Sequence, residues 1–307
     1  MNIKVLRSPF FLVLLAVFSV MLLSASECLA QKRLALLIGN SAYKKLGELK
    51  NPVNDVDSMN RALKNSGFDV LVVKNADRAA MGRAIDEFGS RLRNYEVGLF
   101  YFSGHGLQVD GINYLCPLNM SVQGQSDVQY EAVDAGKVLA KMEDAGNPMN
   151  IVILDACRNN PFKRSFRSIR SGLAQMDAPT GSFIAFATAP GNVALDGRGN
   201  NSPYVTNMVS NMGRKGLTIE KFFKQVRRGV MKDTGKKQVP WESSSLVGDF
   251  YFAGGGDSGS SSSGSSQASS QPAASQQQAA PATAPVYKPK PKPQKSKSDQ
   301  AMDSLLN

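Results

Sequence analysis

Two residues of the types that cysteine hydrolases use each follow an apolar segment of this 307-residue chain. His105, the only histidine, follows residues 99–102, and Cys157 follows residues 151–154. Each segment predicts a buried strand that ends in a loop. A histidine and a thiol at the same edge of a parallel sheet are the minimum for a cysteine nucleophile. The imidazole takes the thiol proton and later protonates the leaving amine.

Glycines flank the histidine at positions 104 and 106. Because glycine has no Cβ, the backbone there can approach a substrate closely. The amide N–H groups of Gly106 and Cys157 are candidates for holding an oxyanion, and loss of one such donor typically costs about 3 kcal/mol in the transition state. Taken separately, a core histidine and a buried small cysteine are the simpler interpretation. The two motifs together favour catalysis.

Motifs for other chemistries are absent from residues 31–253. These residues have no Walker-type phosphate loop, no Cys-x-x-Cys, no His-Glu-x-x-His and no Gly-x-Gly-x-x-Gly, and a single histidine argues against catalytic zinc. We therefore predict no metal and no cofactor. The basic residues are not interleaved with exposed aromatic ones, so we expect no nucleic-acid partner.

The first thirty residues have the pattern of a secretory signal peptide. Lys4 and Arg7 precede an apolar run over residues 10–23, and a short stretch of small residues ends at Ala30. We predict cleavage after Ala30 and export to the periplasm or the medium. An uncleaved membrane anchor is the alternative, although the run is shorter than the ~20 residues of a spanning helix. Lipidation of Cys28 is disfavoured by Glu27 directly before it.

Residues 254–307 form a separate low-complexity tail. Gly and Ser are followed by Gln, Ala and Pro and then by a Lys-Pro alternation at residues 288–293. Such a composition predicts disorder, with an extended polyproline-type Lys-Pro part. The basic domain and its basic tail suit an anionic envelope surface as a partner, and solubility is the alternative explanation of the charge. Residues 31–253 remain as one domain of sufficient length to bury a core.

Cleavage after Ala30 would leave two cysteines, Cys116 and Cys157. In an oxidising compartment a free thiol persists when it is buried, protected or used. We interpret Cys116 as a small apolar strand residue. A disulfide between Cys116 and Cys157 is the alternative, and it would silence the nucleophile.

Strand and helix patterns alternate along the domain. We predict helices at 52–66, 77–94 (capped by Asp77), 132–145, 204–212 and 219–232, and a hairpin around Asp110-Gly111. We predict strands at 33–39, 68–73, 97–102, 150–154, 182–188 and 250–252. This order indicates an α/β fold with a mostly parallel central sheet and helices on both faces. Ligands of such sheets bind beyond the carboxyl ends of the strands, where His105 and Cys157 would lie.

The chain resembles the caspase-like cysteine peptidases, in particular their prokaryotic metacaspase-like branch. Tyr101-Phe102-Ser103-Gly104-His105-Gly106 is similar to the histidine motif of that family, and Asp155-Ala156-Cys157-Arg158-Asn159 to its cysteine motif. Residues 36–43 and 49–55 also match, and the resemblance extends over roughly residues 32–252. It implies a caspase-hemoglobinase-like fold with His105 and Cys157 as the catalytic dyad.

The resemblance also implies a substrate pocket formed by Asp55, Ser103 and Asp155. In metacaspase-like enzymes these positions favour arginine or lysine before the scissile bond, and two carboxylates suit bidentate binding of a guanidinium. For Asp155, capping of a nearby amide at the strand end is the simpler alternative. The resemblance leaves calcium activation open, since no spacing of acidic residues indicates a calcium site.

Residues 163–172 form a basic loop after the cysteine motif. In caspase-like proteins this junction separates the large and small subunit regions. Self-cleavage after Arg164, Arg167 or Arg170 is therefore a hypothesis, and a solvated basic loop is the alternative.

The predicted function is that of an exported cysteine endopeptidase acting on proteins or peptides with basic residues. The competing hypotheses are a non-catalytic caspase-fold scaffold tethered to the cell envelope and a domain carried as cargo of the tail.

Overall fold

The computed structural model describes residues 31–156 and 172–254. Its strands form two sheets, and its longer helices pack against the larger one. The strands in chain order are β1 (Arg33–Gly39), β2 (Phe68–Lys74), β3 (Val97–Ser103), β4 (Gly106–Val109), β5 (Ile112–Leu115), β6 (Val133–Asp134), β7 (Met149–Asp155), β8 (Ser182–Phe186) and β9 (Trp241–Ser244). The α-helices are α1 (Pro52–Asn65), α2 (Arg78–Leu92), α3 (Val128–Glu131), α4 (Ala135–Asp144), α5 (Pro203–Met212) and α6 (Ile219–Asp233).

The larger sheet has six strands within the described residues, in the order β2-β1-β3-β7-β8-β9. The first five are parallel, and β9 pairs antiparallel with β8 at one edge. Side chains alternate between the two faces of the sheet. Leu99 and Tyr101 pack with α1, α5 and α6, whereas Phe100 and Phe102 pack with α2 and α4. The predicted α/β architecture, mostly parallel and covered on both faces, is confirmed.

The predicted hairpin is also confirmed, as β4 and β5. Asp110 and Gly111 have φ angles of 50° and 83°, as a two-residue turn of the primed type requires. β6 pairs with β5 and completes a small antiparallel sheet. A third apolar cluster, which includes Tyr43, Leu107 and Cys116, lies beneath it.

Two of the predicted elements are wrong. Residues 250–252 do not join the sheet: Tyr251 makes one isolated bridge to Thr218, while Phe250 and Phe252 pack against Phe68 as an aromatic cluster. The sheet ends instead with β9, at Trp241–Ser244. The helix predicted from residue 132 begins at Ala135, because residues 133 and 134 pair with β5.

Helix ends otherwise follow the sequence signals. The Asp77 carboxylate accepts the Ala80 N–H at 2.7 Å and caps α2 as predicted. Among the described residues, the structure contains no helix that is both long and apolar enough to cross a bilayer.

Candidate active site

β1, β3 and β7 end at the same level of the sheet. Gly39 is the register partner of Ser103, and Ser103 is the partner of Asp155. A Cβ on Gly39 would lie 2.5 Å from the Pro52 carbonyl oxygen, so only glycine lets α1 begin directly against the end of β1. The first turn of α1, which carries Asp55, is thereby placed at the carboxyl edge.

The Asp55 carboxylate is fully buried and hydrogen-bonded at both oxygens. Its Oδ2 accepts the Ser103 hydroxyl at 3.2 Å. Its Oδ1 accepts the Ser202 backbone N–H at 2.8 Å and the Asn201 side-chain amide at 3.0 Å. Hydrogen bonds to the charged form stabilise a buried carboxylate, so this environment can hold an ionised aspartate.

Asp155 is linked to the same residue, Ser202. The Ser202 hydroxyl donates to Asp155 Oδ2 at 2.6 Å and accepts the Val205 N–H at 3.1 Å, which makes it the N-cap of α5. Since a hydroxyl has one hydrogen, its only donor is committed to Asp155. The structure thus brings the three predicted pocket residues Asp55, Ser103 and Asp155 together and adds Ser202 between the two carboxylates.

Negative charge at this edge also affects Tyr204, the residue two positions after Ser202. Burial, together with the charges of Glu242 and Asp155, raises the pKa of the Tyr204 phenol well above its usual value. The phenol therefore stays neutral beside the carboxylates.

A loop over residues 192–202 carries Asn201 and Ser202 and is fastened to the start of α1. The Asp196 carboxylate accepts the Lys50 N–H at 2.7 Å and the Asn51 N–H at 3.3 Å. The Asn51 side chain donates in return to the Asp196 carbonyl. These bonds fix the loop that delivers Ser202 to both carboxylates.

His105 follows directly after this edge and is 5% exposed. Its backbone N–H donates to the Tyr43 hydroxyl at 3.1 Å, and that hydroxyl donates to the Cys116 carbonyl at 2.9 Å. The two rings meet edge to face, with centroids 4.6 Å apart. Tyr43 therefore fixes both the backbone and the ring of the histidine.

The tautomer of His105 follows from a second contact. Its Nε2 lies 2.9 Å from the Gly47 carbonyl oxygen. Because a carbonyl oxygen only accepts hydrogen bonds, we assign the ring hydrogen to Nε2. In the neutral imidazole Nδ1 is then the basic nitrogen, the atom that can take a proton.

The histidine and cysteine motifs are in direct contact at their backbones. The Gly104 N–H donates to the Asp155 carbonyl at 3.4 Å. A Cβ on Gly106 would lie 2.9 Å from the Cβ of Ala156, so Gly106 packs against the residue immediately before Cys157.

The backbone of Gly106 also has a suitable direction for binding an anion. Gly106 is opposite Leu115 in the β4–β5 ladder, and the neighbouring Cys116 N–H donates to the His105 carbonyl. Hydrogen-bonded and non-hydrogen-bonded pairs alternate along an antiparallel ladder. The Gly106 N–H is therefore directed away from β5.

Several predicted residues lie outside the described ones. They are Cys157 and the processing candidates Arg164, Arg167 and Arg170, as well as the whole predicted signal peptide and the tail after Gly254. Of the described residues, no three His, Cys, Asp or Glu side chains are grouped so as to hold a metal ion.

Cys116 follows the last residue of β5 as a free, buried thiol. Burial raises the pKa of this thiol far above its usual value. A thiol held in its neutral form is a poor nucleophile, which agrees with the interpretation of Cys116 as a small apolar residue.

Sequence reasoning missed Ser202, Tyr43 and Gly47. Ser202 before Pro203 is a helix-start signal, which indicates the cap but not its bond to Asp155. Gly47 acts through its carbonyl and leaves no side-chain signal at all.

Comparison with known proteins gives a family and two similar proteins. Residues 32–251 match the family described as Caspase domain. The chain is 30% identical over 135 residues to mucosa-associated lymphoid tissue lymphoma translocation protein 1 of Homo sapiens, a match that covers 44% of this chain and 16% of the human protein. It is 30% identical over 130 residues to the Mus musculus homolog, covering 42% of this chain and 15% of that protein. The chain thus spans only a small part of these relatives.

Proposed function

Because the chain belongs to the caspase-domain family of cysteine peptidases, we propose that it is a cysteine endopeptidase that cuts after arginine or lysine. Cys157 is the nucleophile, and His105 is the general base and acid. One observation carries the proposal: Gly106 packs against Ala156, so the residues next to His105 and next to Cys157 are in contact.

The contacts of His105 support the following order of proton transfers. Its Nδ1 takes the proton of the Cys157 thiol, while the Gly47 carbonyl binds the Nε2 hydrogen and stabilises the imidazolium. The thiolate attacks the scissile carbonyl carbon, and the proton on Nδ1 passes to the leaving amine. Water then hydrolyses the thioester with His105 as base. The N–H groups of Gly106 and Cys157 hold the oxyanion in both steps.

The pocket proposal rests on the charges at the carboxyl edge. Asp55 and Asp155 are two buried carboxylates joined through Ser202, with Ser103 on the first. An arginine or lysine side chain of the substrate would add charge-assisted hydrogen bonds to this pair, which are stronger than neutral ones. An acidic side chain would be repelled there.

Turnover of three matched peptides tests the proposal, with Arg, Lys or Asp before a fluorogenic leaving group. We expect cleavage of the Arg and Lys peptides and none by Cys157→Ala. Asp155→Asn should lower kcat/KM for the Arg peptide by about 10- to 100-fold, as expected for one charge-assisted bond. Asp69→Asn, an exposed aspartate of β2, is the control. Cleavage of the Asp peptide alone would contradict the proposed Arg/Lys pocket but would still support a cysteine endopeptidase.

Absence of turnover by folded, reduced protein would instead favour the scaffold alternative. In that case the caspase fold would serve protein interaction only. A melting transition equal to that of Cys157→Ala distinguishes this outcome from misfolding.

Self-processing, export and a tail that contacts the envelope complete the proposal. A basic-specific peptidase would cleave its own loop after Arg164, Arg167 or Arg170. Mass spectrometry of wild type and Cys157→Ala tests this, and identical fragments from both would exclude self-cleavage. Cell fractionation with N-terminal sequencing tests cleavage after Ala30, and deletion of residues 254–307 tests envelope association.

A further inference from the structure

α6 presents a one-sided basic surface that the peptidase proposal does not use. Four exposed cations, Lys221, Lys224, Arg228 and Lys232, follow each other at spacings of three, four and four residues. At 3.6 residues per turn such positions form one row along a helix. We name these four residues the basic ridge. At 1.5 Å per residue the ridge is about 16 Å long.

The opposite side of α6 is fully committed to the core. Ile219, Phe222, Phe223, Val226 and Val230 are buried in the apolar cluster on this sheet face. The ridge therefore faces away from the sheet, and it is held rigidly by the packing beneath it.

The ridge lacks the acidic partners that other helices have. On α2, Glu87 pairs with Arg91, and Asp86 pairs with Lys141 of α4. In the described part of the chain, none of the four ridge cations is in an ion pair. Like charges at these spacings repel each other along the helix. The row therefore favours an anionic partner.

Cations at both ends widen the surface. Arg214 and Lys215 are exposed before α6, and Lys236 and Lys237 are exposed after it. Between residues 214 and 237 the only acids are Glu220 and Asp233, at the first turn and the last residue of α6. The Asp233 carboxylate accepts the Asn207 side-chain amide at 2.8 Å. Residues 214–237 thus contain eight exposed cations.

We propose that the basic ridge docks the domain onto an anionic lipid bilayer. A row of cations along one face of a helix fits a flat, negatively charged surface, which attracts each nearby Lys or Arg. Nucleic acid is the less suitable partner, because single strands bind through exposed aromatic side chains and both phenylalanines of α6 are buried. Export to the periplasm, one of the two predicted destinations, would bring the domain close to membrane lipids. This site is distinct from the tail and independent of catalysis.

Docking through the ridge leaves the candidate active site accessible. α6 covers a face of the sheet, whereas Asp55, Asp155 and His105 lie at the carboxyl edge. A bilayer held against the ridge would therefore lie beside that edge.

Two four-fold variants of the full chain test the ridge at equal net charge. The first replaces Lys221, Lys224, Arg228 and Lys232 by Gln. The second replaces Lys64, Arg83, Arg93 and Lys137 by Gln. These four are exposed cations of other surfaces, and they make no ion pair in the described structure. Co-sedimentation is measured with vesicles of 70% phosphatidylcholine and 30% phosphatidylglycerol and with pure phosphatidylcholine, and the ratio of the two partition coefficients is the readout. The N-terminal segment and the tail are identical in all three proteins.

We expect the ratio to fall by about fivefold per ridge cation, and so by roughly several hundredfold in the first variant. It should fall by less than tenfold in the second, and in the wild type it should decrease with added salt. If the ratio fell equally in both variants, net charge alone would drive binding. If it did not fall in the first variant, the basic ridge would not be the binding surface. If the ridge variant lost binding to a fluorescent 20-base-pair DNA but not to vesicles, the partner would be nucleic acid and the proposal would be overturned.

Discussion

Replacement of Gly106 by Ala tests whether the contact between the two motifs sets the catalytic geometry. The new Cβ would lie 2.9 Å from the Ala156 Cβ and 3.2 Å from Leu173 Cδ2. Carbon atoms prefer separations of about 3.5–4.0 Å, so the motifs must part by about 0.6–1.1 Å. The Ala156 Cβ is attached directly to the backbone and cannot rotate away.

A displacement of about 1 Å at reacting groups costs roughly 100-fold in rate, and overpacking costs about 1–3 kcal/mol of stability. We therefore expect Gly106→Ala to lower kcat/KM for the Arg peptide about 100-fold. Urea unfolding should show the accompanying loss of free energy.

The double variant Gly106→Ala/Ala156→Gly removes one carbon of the clash. We expect it to recover at least about tenfold of the lost kcat/KM, a coupling of about 1.4 kcal/mol. Gly82→Ala in α2 is the control, since no atom lies within 4 Å of its new Cβ. It should keep full activity and gain about 0.5–1 kcal/mol of stability. Full activity of Gly106→Ala, or equal activity of the single and double variants, would refute this reasoning.

Three further predictions concern neighbouring residues. Tyr43→Phe removes two buried hydrogen bonds. The free energy of unfolding should therefore fall by about 2–3 kcal/mol, and kcat should fall by a larger factor than KM rises. Unchanged values would show that Tyr43 does not position His105. Ser202→Ala removes the bond to Asp155 and the cap of α5, and should cost about 2–4 kcal/mol. Ser210→Ala, on the exposed side of the same helix, should cost less than about 0.5 kcal/mol. Burial raises the pKa of Cys116 in the folded protein, whereas the thiol of the unfolded chain ionises near pH 8.5. The free energy of unfolding should therefore decline by about 1.4 kcal/mol per pH unit above about pH 8.5. The Cys116→Ala protein should lack this slope.

Much of the fold follows from local sequence patterns. Apolar runs gave β1, β3 and β7, and helical spacing gave α1, α2 and α6 within about two residues. The prediction at residues 250–252 was wrong because an alternating aromatic segment can fill the space beneath a sheet as well as join it. Only long-range contacts of Phe250 with Phe68 and Phe222 with Phe252 decide between these outcomes.

The candidate site was predictable where a side chain carries the chemistry. His105 was predicted from its residue type and position, and Asp55, Ser103 and Asp155 from the family resemblance. The structure brings the last three together. The roles of Ser202 and Gly47 were not predicted, because they depend on loops that meet the site from distant parts of the chain. Hydrogen bonds of this kind follow from tertiary packing and leave no periodic pattern.

Covalent labelling of Cys157 tests the central claim most directly. The reduced protein is incubated with a peptide acyloxymethyl ketone that ends in Arg, and the modified residue is mapped by mass spectrometry. We expect a single adduct on Cys157, formed much more slowly in His105→Ala and prevented by excess Arg peptide. The matched Asp reagent should give no adduct. An unlabelled Cys157 in folded protein, or labelling that His105→Ala leaves unchanged, would contradict the dyad.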